Sequence, residues 1–445
     1  MTFSDRAPGR GTAVVIGGGL AGVTAAWALR GFAERILVVE RDRYPAEAVF
    51  RAGVPQARHG HLVLEAGHRA LEELMPGSKQ ELAAAGAHRV LVSGDLKWLG
   101  AAGWLADYPA QMSFLSCTRP VLDKVVLDRV RTEPSIEFLE GTDVVGLLGS
   151  AQAVTGVKVR ERGPDRAEVR EIPAELVIDA AGRSTSVPKW LAELGCRPAP
   201  EERVDAGVAY TSRLFHRPAG SDPGHKAVYL QTKAPSKPRL GVLLPVEGDR
   251  WIVSLAGMRG AGPGPGEEGF NRHLAQLRDP LLQEMLREAE PAGEVRGFQA
   301  GPGVRRHYER SCPEGLVVVG DAASTFNPVY GQGVTVALFC AQALRRTATR
   351  HGGIGHATAR EARRGVTAAS KVAWMMSSAE DVRFPATTGG PSGVMTGIQR
   401  RYLDKVLAGT TRDPVVTAAF HEVLSLVAPP SRLFHPTVLA AVLRG

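Results

Sequence analysis

Thr12-Ala13-Val14-Val15-Ile16-Gly17-Gly18-Gly19-Leu20-Ala21-Gly22 is the stretch that decides the fold. Its first five residues are apolar or β-branched and suit a buried parallel strand. They run directly into a Gly-x-Gly-x-x-Gly pattern, and Leu20 to Arg30 then reads as an Ala-rich helix. In such a unit Gly17 allows the tight turn, Gly19 lets the backbone approach a pyrophosphate, and Gly22 lets helix and strand pack closely. The helix N-terminus offers free N–H groups to an anion. A second short strand, Arg35 to Val39, leads to Glu40. A carboxylate there can accept hydrogen bonds from ribose hydroxyls. The context, more than the glycines, predicts a dinucleotide-binding β-α-β unit.

The rest of the chain gives that unit a setting. At roughly 150 residues per domain, 445 residues suggest about three units. The 44% hydrophobic and 22% charged content is that of a globular protein with a large core, which excludes global disorder. No apolar run reaches the roughly 18 to 20 residues of a membrane helix. The polar segment from Met1 to Gly11 does not resemble a signal peptide. The net charge of +8 permits an anionic partner. Arginine far outnumbers lysine, which suits phosphate but equally suits a GC-rich genome. Cys117, Cys196, Cys312 and Cys340 are scattered without metal-ligand spacing. They read as reduced thiols of a cytoplasmic protein, and no metal site is expected.

Further along, His61 to Ala87 is helix-rich, and residues 88 to 116 turn to strands or hairpins carrying Trp98, Trp104, Tyr108 and Phe114. Thr118 to Arg131 is helical. Ile136 to Leu148, Val154 to Arg160, Ala167 to Ile172 and Leu176 to Asp179 read as strands, with a turn at 163–165. A mostly antiparallel pattern follows in Val204 to Phe215, Ala227 to Leu230, Leu240 to Val246 and Trp251 to Met258. Asn271 to Glu290 reads as one helix, Leu316 to Val319 as a strand, Gly333 to Arg350 as a helix, and the remainder as mainly helical. Nucleotide-type segments therefore surround antiparallel ones. The expected division is 1–87, 117–185 and 296–345 for a dinucleotide domain, 88–116 and 186–295 for an inserted substrate domain, and 346–445 for a helical C-terminal region.

A second glycine motif follows the strand at 316–319. It runs Gly320-Asp321-Ala322-Ala323-Ser324-Thr325-Phe326-Asn327-Pro328-Val329-Tyr330-Gly331-Gln332-Gly333. An Asp at a strand end before such a helix start is placed to bond a hydroxylated chain. FAD has a ribityl chain and NAD does not.

With these residues in view the chain resembles the p-hydroxybenzoate-hydroxylase-like FAD monooxygenases. The Gly-x-Gly-x-x-Gly with Glu40, then Asp179-Ala180-Ala181-Gly182-Arg183-Ser184, then Gly320-Asp321 stand in that family's order over roughly residues 12 to 345. Arg51-Ala52-Gly53-Val54 is similar to its arginine loop beside the flavin. A narrower resemblance is to the flavin-dependent epoxidases of polyether polyketide biosynthesis, the monensin and lasalocid type. It rests on Gly53-Val54-Pro55-Gln56-Ala57-Arg58-His59-Gly60-His61, on Val204 to Tyr210, and on Phe326 to Gly331.

The resemblance implies a glutathione-reductase-like FAD-binding Rossmann domain interleaved with a mostly antiparallel substrate domain, with a helical C-terminal region. It puts the pyrophosphate at Gly17, Gly19, Leu20, Ala21 and Gly22, and the adenosine ribose at Glu40 with Arg41 beside it. Arg51, Gly53 and Arg119 would lie on the pyrophosphate or ribityl side. Val144 would meet the adenine through its backbone, Asp321 would bind the ribityl chain, and Pro328, Gly331, Gln332 and Gly333 would line the isoalloxazine. The implied chemistry is oxygen transfer from a C4a-hydroperoxyflavin to an alkene of a polyketide or terpenoid intermediate. Dioxygen is the co-substrate, and NADPH or NADH supplies electrons directly or through a separate flavin reductase. The chain departs from the family's usual Asp-Gly motif with Asp-Ala-Ala-Gly-Arg-Ser, a variant of halogenase-like and reductase-like relatives, and a reductase of polyprenyl chains fits it.

The site itself is left more open. The chemistry is expected to be flavin-borne; His59, His61 and Tyr210 are the candidates for a catalytic role, the two histidines for flavin contact or a proton relay beside an ordinary loop-bonding role. Trp98, Phe114, Tyr210, Arg213 and Tyr229 are candidates for the substrate pocket, beside core packing. An apolar pocket would suit an electron-rich alkene, whereas a phenol would need a base to ionise it. Aromatic hydroxylation on the same scaffold and polyprenyl reduction remain alternatives. A halogenase fits less well, because no WxWxIP segment is present. The expected partner is a small hydrophobic molecule, free or bound to a carrier protein, rather than nucleic acid. The protein is expected to be a monomer or weak dimer. The arginines from 345 to 364 read as a solvated helical face or a partner surface.

Overall fold

A computed structural model of the chain describes residues 11–163, 168–221 and 224–444, without the side chains of 394–396. The polar segment 1–10, two residues of the turn expected at 163–165, and the start of the strand expected from Ala167 lie outside the described residues.

The opening stretch folds as its pattern dictates. Thr12–Ile16 is a buried strand, and Leu20–Leu29 is a helix capped by Gly19. The strand is central in a five-stranded sheet ordered Leu316–Val318, Leu176–Asp179, Thr12–Ile16, Arg35–Glu40 and Ile136–Glu140. Every neighbouring pair is parallel. The inner strands are near-continuous apolar runs because both faces are covered, by Leu20–Leu29 and by the strands Thr142–Gly149 and Val154–Glu161. Leu20–Leu29 packs against the later helix Gly333–His351. Both glycine motifs thus open helices at the carboxyl ends of strands in this sheet, where ligands bind in open α/β folds.

The antiparallel segments form a six-stranded sheet. Its order is Arg296–Gln299, Ala209–His216, Arg250–Gly257, Arg239–Val246, Ala227–Leu230 and Leu96–Leu99. Only the last pair is parallel. The C-terminal residues are largely helical, but Thr388–Gly389 returns to pair with Glu201–Asp205 in a separate small sheet. The architecture is the expected mixed α/β one.

Three expected elements break, each for a local reason. Val204 to Phe215 is two strands in different sheets, Glu201–Asp205 and Ala209–His216. Gly207 between them has φ +60°, and its N–H donates to Asp205 Oδ1 at 2.9 Å. Asn271 to Glu290 is two helices, Gly266–Ala275 and Leu281–Met285, because Pro280 lacks the N–H to continue a helix. Ile136 to Leu148 turns at Gly141 into Thr142–Gly149, a strand of a three-stranded sheet.

Candidate functional site

The glycines of the first motif differ in what surrounds them. A Cβ on Gly22 would lie 1.8 Å from the Gly17 carbonyl oxygen, so this glycine is what lets the helix sit on the turn. A Cβ on Gly17, at φ +92°, would lie 2.8 Å from Ala180 O. A Cβ on Gly19 would meet nothing within 4 Å. Gly19 therefore faces open space at the start of the helix, where the N–H groups are unsatisfied by any side-chain cap.

Glu40 is buried, and its Oε2 accepts the Gly18 N–H at 2.7 Å while Oε1 accepts Asp42 N–H at 2.9 Å. Arg51 lies 3.2 Å from Glu40 Oε2 and donates to Gly18 O at 3.0 Å. It therefore stands at the Glu40 end of the glycine turn. Gly53 N–H donates to Asp42 Oδ2 at 2.5 Å. Tyr44, on which the motifs are silent, donates its hydroxyl to Gly18 O at 2.8 Å. Arg41 is exposed. Val144 is half-buried and pairs with Val159 beside an irregularity at Gly146.

At the second motif two polar groups lack partners among the described residues. Asp321 is half-buried, and burial raises its carboxyl above the usual range against the pull of Arg183 and Arg119. Nothing described donates to it. Gln332 is buried, and its Oε1 accepts no hydrogen bond. A Cβ on Gly333 would find only Asp321 Oδ1, at 3.7 Å. A cradle open at Gly19 and Gly333, with helix N–H groups at one end and acceptors at the other, fits a pyrophosphate joined to a hydroxyl-bearing chain. FAD has that chemistry. Arg119 is buried and paired with Asp123 at 2.6 Å.

The loop after Gly53 meets the six-stranded sheet. His59 is buried, with Nδ1 2.9 Å from Ser212 Oγ and its ring edge-on to Tyr210 at 4.5 Å. Ser212 Oγ lies 2.6 Å from Ser254 Oγ, which accepts Gly60 N–H at 3.0 Å. Burial lowers His59 to about 4 and His61 to about 3, with Arg119 also pushing His61 down. Both imidazoles are neutral at neutral pH. His61 Nδ1 lies 2.9 Å from His59 O.

Register sorts the pocket candidates by face. Ser212, Ser254, Val242, Tyr229 and Trp98 form one cross-strand row. Tyr210 and Ala256 lie in the next row on that face. Tyr210, Tyr229 and Phe298 share an apolar cluster with Phe384 and with Val329 of the second motif. Trp98 packs on Tyr229 at 5.1 Å and stacks on His421 at 5.2 Å. Phe114 is a core residue, packed with Val90, Leu244 and Ile252. Arg213 belongs to the opposite face, an outcome that corrects its place among the pocket candidates. Its guanidinium bonds Gly293 O at 2.9 Å and Glu267 at 3.1 Å. An odd separation from Tyr210 guarantees this on a regular strand.

A family model described as "FAD binding domain" matches residues 10–365. The chain belongs to the FAD-binding-domain family. It is an enzyme of the FAD-dependent monooxygenase type. It is similar to Protein Rv3254 of Mycobacterium tuberculosis, 31% identical over 93% of this chain and 89% of that one. It is also similar to the 6-methylpretetramide 4-monooxygenase of Streptomyces rimosus, 26% identical over 76% of each chain. Among solved structures, the flavin-dependent brominase Bmp2 shares the fold with TM-score 0.69 at 13% identity, covering 97% of both chains. PqsL of Pseudomonas aeruginosa, in complex with 2-aminobenzoylacetate, does so with TM-score 0.59 at 18% identity, covering 94% of this chain and 98% of that one.

In this FAD-binding enzyme Arg346, Arg350, Arg360 and Arg364 are exposed, as on a solvated helical face, whereas Arg345 and Arg363 tie the helices to the fold. Arg345 bonds Arg30 O, Arg363 is buried on Pro313 O and Leu316 O, Arg360 pairs with Glu314, and Arg350 pairs with Glu361. No described helix is long and apolar enough to cross a membrane, and no described cluster of His, Cys, Asp and Glu could hold a metal. The residues that sequence reasoning missed are Tyr44, Ser212, Ser254 and Asp381. The two serines carried a faint signal, since polar residues inside apolar strands are uncommon. Asp381, at the end of a long helix, carried none.

Proposed function

We propose that this enzyme epoxidises an electron-rich alkene of a hydrophobic polyketide or terpenoid intermediate. The observation that carries the reading is the apolar face beside Val329. Its members Tyr210, Tyr229 and Phe298 are joined by a His59 that burial keeps neutral. Burial also raises the phenols of Tyr210 and Tyr229, so neither ionises near neutral pH. Such a face excludes water and offers little to ionise a phenol.

The chemistry FAD supplies when bound is the two-electron activation of dioxygen, with one oxygen atom going to substrate and the other to water. The chain's own residues do the rest. The open turn at Gly19 and the helix behind it would receive the pyrophosphate. Asp321 would accept from the ribityl hydroxyls, and Pro328 to Gly333 would line the ring. The His59–Ser212–Ser254 chain holds the loop at 53–61 on the substrate sheet. Electrons come from NADPH or NADH, directly or through a separate flavin reductase.

Hydroxylation of an aromatic ring is the second reading. Its support is the Tyr330 hydroxyl, which bonds the buried carboxylate of Asp381 and gives the site one ionisable pair. Incubation of the FAD-loaded protein with a reductant, ¹⁸O₂ and matched panels of linear polyenes and phenols separates the readings. Epoxidation predicts one ¹⁸O per alkene and a rate nearly flat with pH above neutrality. Turnover of phenols alone, rising with their ionisation, would overturn it. Substrate reduction without oxygen uptake would point instead to a reductase.

A further inference from the structure

We propose that Asp381 is the positioning residue of the loop at 327–331, holding it against the FAD ring through two hydrogen bonds to one carboxylate oxygen. The proposal deepens the functional reading and rests on its placement of FAD. Asp381 ends the helix His356–Asp381 and is only 4% exposed. Its Oδ1 accepts Asn327 Nδ2 at 2.7 Å and Tyr330 Oη at 2.8 Å. These donors bracket the short turn Pro328–Tyr330, and Asn327 also caps that turn by accepting Val329 N–H at 3.2 Å. The far side of the loop rests on Leu62, 3.1 Å from the place a Gly331 Cβ would take.

Asp381 also organises the turn beyond its helix. Its backbone oxygen accepts Thr387 Oγ1 at 2.6 Å and Phe384 N–H at 3.1 Å. That turn delivers Phe384 to the apolar cluster containing Tyr210 and Val329. One residue thereby fixes both the loop beside the cofactor and a wall of the substrate face. A carboxylate serves this better than an amide, because hydrogen bonds to an ionised acceptor are roughly twice as strong as neutral ones.

The geometry carries a pH signature. The groups acting on the Asp381 carboxyl are Tyr330, Asn327, Glu380 and Asp205. Glu380 is itself held by Arg383 at 3.6 Å, and Arg383 reaches on to Asp404. Burial raises Asp381 to about 6, the two donors pulling it down and the two neighbouring carboxylates up. Above that value the charged oxygen grips both donors. Below it, the protonated acid accepts weakly, and the loop loosens.

FAD affinity, read by fluorescence quenching across about pH 5 to 8, tests this in wild type, D381N and D381A, together with the thermal midpoint of each apoprotein. Wild type is expected to weaken about 5-fold on acidification with a midpoint near 6. D381A should bind about 10-fold more weakly at neutral pH, without the step. D381N can still accept both donors through its amide oxygen, so it should bind within about 3-fold of wild type and lose the step. A step that survives in D381N, or wild-type affinity in D381A, would overturn the proposal. If D381A does not fold, the D381N profile decides. Wild-type protein that takes up no FAD at any pH would sink the cofactor placement itself, a different and recognisable failure.

Discussion

Gly17, Gly19 and Gly22 look interchangeable in sequence, but their surroundings predict three different mutants. For Gly22→Ala, the new methyl carbon would start 1.8 Å from Gly17 O, a backbone atom with no rotamer to move. Helix and strand must part by more than an ångström, and overpacking of that kind costs about 1–3 kcal/mol. For Gly17→Ala, a side chain at φ +92° adds about 1–3 kcal/mol of backbone strain, and Ala180 O stands 2.8 Å away. For Gly19→Ala the backbone is already extended, at φ −73° and ψ 179°, and the Cβ meets nothing. The apoprotein should be unchanged, or more stable by about 0.4–1 kcal/mol through a restricted unfolded state. Yet that methyl fills the space given to the pyrophosphate. We expect FAD affinity to fall about 100-fold, or ~2.7 kcal/mol. Apoprotein thermal shift and FAD titration, run on all three variants, read the two effects separately. A Gly19→Ala protein that binds FAD like wild type would refute the placement of the cofactor. A Gly22→Ala apoprotein as stable as wild type would refute the steric argument.

Two further expectations rest on the same geometry. His59, His68, His273 and His421 are each lowered to about 4, and His61 to about 3, by burial. Their stabilisation is whole above the unfolded value and is lost as pH falls toward the folded one, at about 1.4 kcal/mol per group one unit below 6.5. Asp179 and Asp381, raised to about 6, work the other way, gaining stability as pH falls through that value. Burial raises Asp321 and Glu380 in the same sense; the five histidines outnumber these four carboxyls, so the thermal midpoint should drop between pH 7.5 and 5.5, and an unchanged midpoint would contradict the buried neutral histidines. Neighbouring substitutions on one strand test the two faces. Arg213→Gln should leave turnover alone and cost no more than about 1 kcal/mol, its pair with Glu267 being largely exposed on one side. Ser212→Ala breaks the His59 bond, and should cost about 1–2 kcal/mol and slow turnover; equal effects of the two substitutions on turnover would contradict the register.

What could be read in advance divides along a physical line. The parallel sheet was legible because strand, glycine turn and helix are local and contiguous, and each residue from Thr12 to Gly22 has one local job. Breaks at Gly207 and Pro280 are legible in principle, since each carries its own backbone constraint, although the apolar pattern continues through both. Arg213 was different. Alternation places it opposite Tyr210 with certainty, but which face meets the loop at 53–61 is settled only when Ser212 reaches His59, 153 residues away in sequence. Asp381 is the extreme case, because its partners lie 51 and 54 residues upstream and its helix reads as an ordinary C-terminal segment. Local signals in this chain name the cofactor. The groups that make its surroundings selective are joined across elements, and they speak only through distance. Selectivity is therefore the property to probe with paired substitutions. If Ser212 and Asp381 each hold a separate loop, their effects on FAD affinity should add; if both act through the shared cluster of Tyr210, Val329 and Phe384, they should not.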